Sequence, residues 1–91
     1  MIEELIENGE YLQALNQLHD MNDEKTRYLR LVCFIGLGEF EKAKYEGAHA
    51  KALAKETYYD VISMYIMALK ELGEYEEAID LLIEELSMPY I

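Results

Sequence analysis

Apolar and polar positions follow a helical period along nearly the whole chain, interrupted only at short turn-forming clusters. Residues 75–86 show it most cleanly. Tyr75, Ala78, Ile79, Leu82 and Leu86 fall on one face, and Glu76, Glu77, Asp80 and Glu84 lie opposite. This arrangement predicts an amphipathic helix with its apolar face turned inward and an acidic outer face that supplies a polar end to the stack only in part. In 40–54 the stripe is made of small side chains, Ala43, Gly47, Ala50 and Ala54. The segment after it carries a large apolar face of Tyr58, Val61, Ile62, Tyr65, Leu69 and Leu72, so these two helices are expected to pack tightly. Residues 28–37 are apolar almost all the way round, Arg30 apart, which predicts a helix covered on more than one side. Breaks at Asn8-Gly9, Met21-Asn22-Asp23, Gly36-Leu37-Gly38, Thr57, Gly73 and Pro89 give six predicted helices, at about 2–8, 10–20, 23–36, 39–55, 58–72 and 74–87. Thr57 with Asp60 three places on reads as a capping box.

The breaks repeat a phrase. Gly-Glu-aromatic-x-x-Ala occurs at Gly9–Ala14, Gly38–Ala43 and Gly73–Ala78, with the glycines 29 and 35 residues apart. Each glycine supplies the left-handed backbone that ends a helix, and the glutamate after it meets the positive end of the next. A period near this length marks a stacked array of helical units. The expected fold is therefore all-α, with about six helices forming three antiparallel hairpins in a right-handed superhelical stack. Residues 1–91 form one domain with units at about 1–21, 23–55 and 58–88.

Composition narrows the function classes. Nineteen acids against eight bases give a net charge of −11, which repels phosphate backbones and anionic membrane surfaces. Nucleic acid and membrane are therefore not expected partners. The charge runs −7 over residues 1–24, +4 over 25–55 and −8 over 56–91; attraction between neighbouring repeats is one reading, and solvated helix faces account for it most simply. Cys33 is alone and set in Leu31-Val32-Cys33-Phe34-Ile35, so a buried, unreactive thiol is expected. The lone thiol, the absence of a basic leader and the lack of a long apolar run point to the cytoplasm.

The repeated phrase resembles the turn and second helix of the tetratricopeptide repeat, a helix-turn-helix unit of about 34 residues. Gly9, Gly38 and Gly73 match the turn, Tyr11, Phe40 and Tyr75 keep the aromatic, and Ala14, Ala43 and Ala78 stand where the two helices touch. The first helices of the units depart from the family pattern, as at Arg27, Arg30 and Leu31, and the first unit is short. The resemblance implies that first helices line a concave surface for a peptide or helix. The matching positions are Lys25, Tyr28 and Val32 in the second unit and Asp60, Ser63, Met67 and Lys70 in the third. The central ones do not make the carboxylate clamp of chaperone-tail binders. An apolar groove with basic ends instead suits an amphipathic helix or extended apolar segment. The other reading of the same residues is core, covered by the protein itself.

Catalytic signatures are absent from the sequence. Glu46 and His49 have the Glu-x-x-His spacing of carboxylate-bridged metal sites, but the second such motif is missing, and a solvated surface pair is expected. Ser63, Ser87 and Cys33 lack a nucleophile context, and Gly36-Leu37-Gly38 lacks the rest of a phosphate loop. The expected protein is a non-catalytic interaction module without cofactor or metal, with a protein or peptide partner. The alternative is a structural module that self-associates, as a homodimer, or packs within a larger protein. The apolar end, Ser87–Ile91, either folds back or stands where a further repeat begins.

Overall fold

The computed structural model describes residues 1–19 and 21–86. Six α-helices follow one another: α1 (Ile2–Glu7), α2 (Tyr11–Leu18), α3 (Glu24–Leu37), α4 (Phe40–Leu53), α5 (Tyr58–Glu71) and α6 (Tyr75–Leu86), with no strand among the described residues. Each expected helix is present, displaced by no more than two residues at the ends that can be compared. The expected features of Ser87 to Ile91, Pro89 included, lie outside the described residues.

The three repeated turns share one mechanism. Gly9, Gly38 and Gly73 have φ of 77°, 74° and 79°, a backbone conformation that glycine adopts without a β-carbon penalty. At Gly38, its own N–H reaches Ile35 O (3.0 Å) and the Glu39 N–H reaches Phe34 O (2.9 Å). The same pair of bonds closes α1 at Gly9 and Glu10, and α5 at Gly73 and Glu74. Five residues on, Ala14, Ala43 and Ala78 are all buried. The phrase thus encodes a helix stop and a close helix contact in six residues.

Neighbouring helices pack in chain order, and α3 also touches α5. The main core gathers Leu31, Ala43, Ala50, Val61 and Ala68, with Tyr28, Phe34, Ile35, Phe40, Ala54 and Met64 packed against it. The predicted α4–α5 contact is present. Gly47 lies against Tyr65 so closely that a β-carbon there would stand 3.1 Å from the ring's Cγ. A second cluster, Tyr65, Leu69, Ala78 and Leu81 with Ile66, joins α5 to α6.

Three expectations are overturned. Thr57 begins α5 without a side-chain cap, and its hydroxyl instead donates to Glu24 Oε2 (2.8 Å). The same oxygen accepts the N–H groups of Lys55 (2.6 Å) and Thr57 (3.2 Å), and this charge-assisted set holds the Glu24 carboxyl below its ordinary pKa. Secondly, the charge alternation is more than solvated faces. Lys25 meets Glu3 (2.9 Å), Lys44 meets Glu74 (2.5 Å) and Glu77 (3.8 Å), and Lys51 meets Glu84 (3.0 Å). The basic middle segment therefore reaches both acidic flanks, although each such surface pair is worth little alone. Thirdly, the apolar face of α6 is turned inward only in part. Ala78 and Leu81 are buried, whereas Tyr75, Ile79, Leu82 and Ile83 are 47–60% exposed. Its acidic side ends the stack only in part, as the sequence suggested.

Cys33 is fully buried, and burial pushes its thiol pKa up to about 11. At neutral pH the thiolate that reacts with disulfide reagents is then scarce as well as hidden. Reaction with an aromatic disulfide is expected to be slow in the native protein and fast in denaturant. A native rate close to that of a free thiol contradicts the burial.

Candidate functional site

The expected groove residues occupy the outer sides of two touching helices. On α3, Lys25 is exposed while Tyr28 and Val32 are half-buried. On α5, Asp60, Ser63, Met67 and Lys70 are all exposed, Met67 by 43%. None of the seven is fully buried, so the reading of these positions as core applies only to part of Tyr28 and Val32. Tyr28 does double duty, because it packs against the Leu31–Val61 cluster as well as facing outward. At one end Lys25 is held by Glu3 of α1, and this contact raises its pKa.

Sequence reasoning missed Tyr59. It is 74% exposed on α5, with its ring edge-on to Tyr58 at a centroid distance of 5.6 Å. The signal was present in the pair itself, since consecutive helical residues point about 100° apart and Tyr58 was assigned inward. Tyr58 does turn inward, and its hydroxyl donates to Glu85 (2.5 Å), which with partial burial pushes its pKa up to about 12.

The other polar locus is Glu46. It was expected to be solvated; instead it is buried, with 6% of its surface exposed. Arg30 Nε donates to one carboxylate oxygen (3.0 Å), and Arg27 donates to the other (2.9 Å). Arg30 is spent on several acceptors at once, since it also donates to Leu18 O (2.9 Å), Met21 O (2.5 Å) and Asn22 Oδ1 (3.0 Å). One guanidinium thus ties the end of α2 to α3 and α4. His49 points elsewhere: it is exposed, its Nδ1 lies 2.9 Å from Tyr45 O, and its ring rests on Tyr45 at 4.4 Å.

An open hollow of about 480 Å³ lies beside this cluster, lined in part by Asn16, Asn22, Arg27, Glu46 and His49. The one carboxylate among its described lining residues is held by guanidinium groups, so it is not a free general base. The described residues contain no group of three or more His, Cys, Asp or Glu placed to hold a metal ion. Among them, no helix is long and apolar enough to cross a membrane. No protein-family model, curated protein or solved structure matches the chain.

Proposed function

We propose that this protein is a non-catalytic interaction module of tetratricopeptide-like organisation, binding an apolar peptide segment or helix across the outer sides of α3 and α5. The supporting observation is the placement of Tyr28, Val32, Ser63 and Met67 on two touching helices, with Met67 and Tyr59 exposed. Exposed aromatic and methionine side chains on a rigid helical frame are the usual anchors of protein recognition. Lys70 supplies a basic end with no ion-pair partner among the described residues, while Lys25 is reached only in competition with Glu3. A groove of this make-up favours a segment with apolar anchors and an acidic flank over a bare carboxylate.

Met67 is the sharper probe, because Tyr28 also supports the core. Peptides selected from a random display library on the intact protein are expected to lose about tenfold or more in affinity with Met67→Asp, on the scale of a hot spot. The thermal midpoint of that variant should stay close to the parent's. If peptides selected on the parent bind Met67→Asp and Tyr59→Ala equally well, the α3–α5 surface is not the binding site. The second reading, a packing module of a larger assembly, is favoured by one observation only: the open face of α6.

A further inference from the structure

The hollow between α2, α3 and α4 runs against the charge of the rest of the chain. The protein carries a net charge of −11, yet the described residues lining this hollow set Arg27 and Arg30 against one carboxylate, Glu46. The two arginines are used to different extents. Every nitrogen of the Arg30 guanidinium is engaged: Nε donates to Glu46, Nη1 to Leu18 O and Met21 O, and Nη2 to Asn22. Arg27 gives Glu46 only its Nη1 (2.9 Å). Its Nε is buried with no acceptor among the described residues, and its Nη2 makes no hydrogen bond to them. Nε–H and Nη2–H form one edge of the guanidinium, a pair of parallel donors that a carboxylate can take with both oxygens. A buried donor left without an acceptor costs stability, and a bound anion relieves that cost.

A second hollow, of about 500 Å³, shares Arg27 and His49 with the first and is lined otherwise by Ala48, Ala52 and Leu53 of α4. Both have the size usual for small-molecule sites. Ala48 and Ala52 stand about one turn apart, so an apolar strip runs along α4 from the guanidinium.

This combination selects the ligand. The chain's net charge opposes any anion at a distance, so the hold has to come from contact. Glu46 already answers one of the two guanidinium charges, which leaves one to be matched. A phosphate dianion would crowd that carboxylate, whereas a single carboxylate fits both the charge and the planar edge. The strip adds affinity only for a ligand that also has an apolar body.

We propose that Arg27 and the α4 strip form a binding site for a small monocarboxylate with an apolar body. The carboxylate takes the Nε–Nη2 edge, the guanidinium turning slightly outward to present Nε, while Nη1 keeps Glu46. The apolar body lies over Ala48, Ala52 and Leu53. The site shares no residue with the α3–α5 surface and does not depend on it.

The test titrates the intact protein with sodium octanoate and follows the arginine Nε–H signals in proton–nitrogen correlation spectra. One such signal, missing from Arg27→Lys, should shift saturably. Arg27→Lys keeps a charge beside Glu46 but removes the edge, and should weaken octanoate by about tenfold or more. Ala52→Glu puts a negative charge on the strip at an exposed helical position, so it should weaken octanoate similarly while the melting temperature holds. Octanamide, which has the chain without the charge, and inorganic phosphate should each bind at least about tenfold more weakly than octanoate. Absence of a saturable shift at Arg27 overturns the proposal, as does octanoate binding that both variants leave intact. Equal binding of octanamide would mean that only the chain is read, and equal binding of phosphate that the strip is idle; either overturns the assigned ligand class. If Arg27→Lys does not fold, the parent's Nε–H shifts and Ala52→Glu still decide.

Discussion

Glu46→Ala is expected to cost about 3–5 kcal/mol of folding stability, the scale seen when one member of a buried ion pair is removed. The side chain is nearly inaccessible, and it accepts hydrogen bonds from both Arg27 and Arg30. Without it two guanidinium groups share a poorly hydrated space, and Arg27 Nε already has no acceptor there among the described residues. A domain of this size has about 5–15 kcal/mol in total, so the loss takes a large fraction. Urea unfolding checks it through a lower midpoint at unchanged slope. Glu46→Gln, which keeps part of the hydrogen bonding, should lose less. Changing Arg30→Met together with Glu46→Leu should not restore the parent, because Met21 O and Asn22 Oδ1 then lose the Arg30 donor and Leu18 O keeps only the Met21 N–H (3.2 Å). A loss below about 1 kcal/mol for Glu46→Ala would mean that the carboxylate is solvated after all.

The second large effect is expected at Leu31. It is fully buried in the main cluster, with Ala43, Ala50, Val61 and Ala68 around it. These buried members are small or β-branched, so only the partly buried side chains at the edge of the cluster, such as Met64, can relax toward a void. Leu31→Ala should therefore fall in the range of about 2–5 kcal/mol, its lost transfer energy plus the cavity. Ile79→Ala on α6 serves as the contrast, since that side chain is 53% exposed and its truncation should stay within roughly 1 kcal/mol. Equal losses at the two positions would contradict the burial pattern of α6.

These two sites also show where the sequence was legible. Leu31 lies in a run that is apolar on all sides, and a run of that kind can only be covered. The helices and turns were legible for a similar reason, because the glycine, the following N–H and the alanine act within six residues of one another. Arg30 was not legible. A lone charge in an apolar run reads as the exposed exception, and its partner Glu46 is sixteen residues away in a different motif spacing. Thr57 was misread because Glu24, thirty-three residues earlier, outcompetes the local cap. For α6, periodicity identified the apolar side but carried no information about whether anything lies against it. At the candidate groove, the seven positions came from the tetratricopeptide resemblance alone, while the shared role of Tyr28 between core and surface needed the packing itself.

Arg30 has a consequence for the order in which the chain becomes structured as it is made. The six residues of α1 and eight of α2 are too few to hold a helix alone in water. They leave the ribosome before α3 and α4, yet the guanidinium that ties off α2 and the carboxylate that steadies it arrive only with residues 30 and 46. The α1–α2 stretch must therefore wait, uncommitted, until α4 has emerged. A stall in synthesis before that point leaves Leu18 and Tyr11 bare to whatever chaperone is nearest the exit.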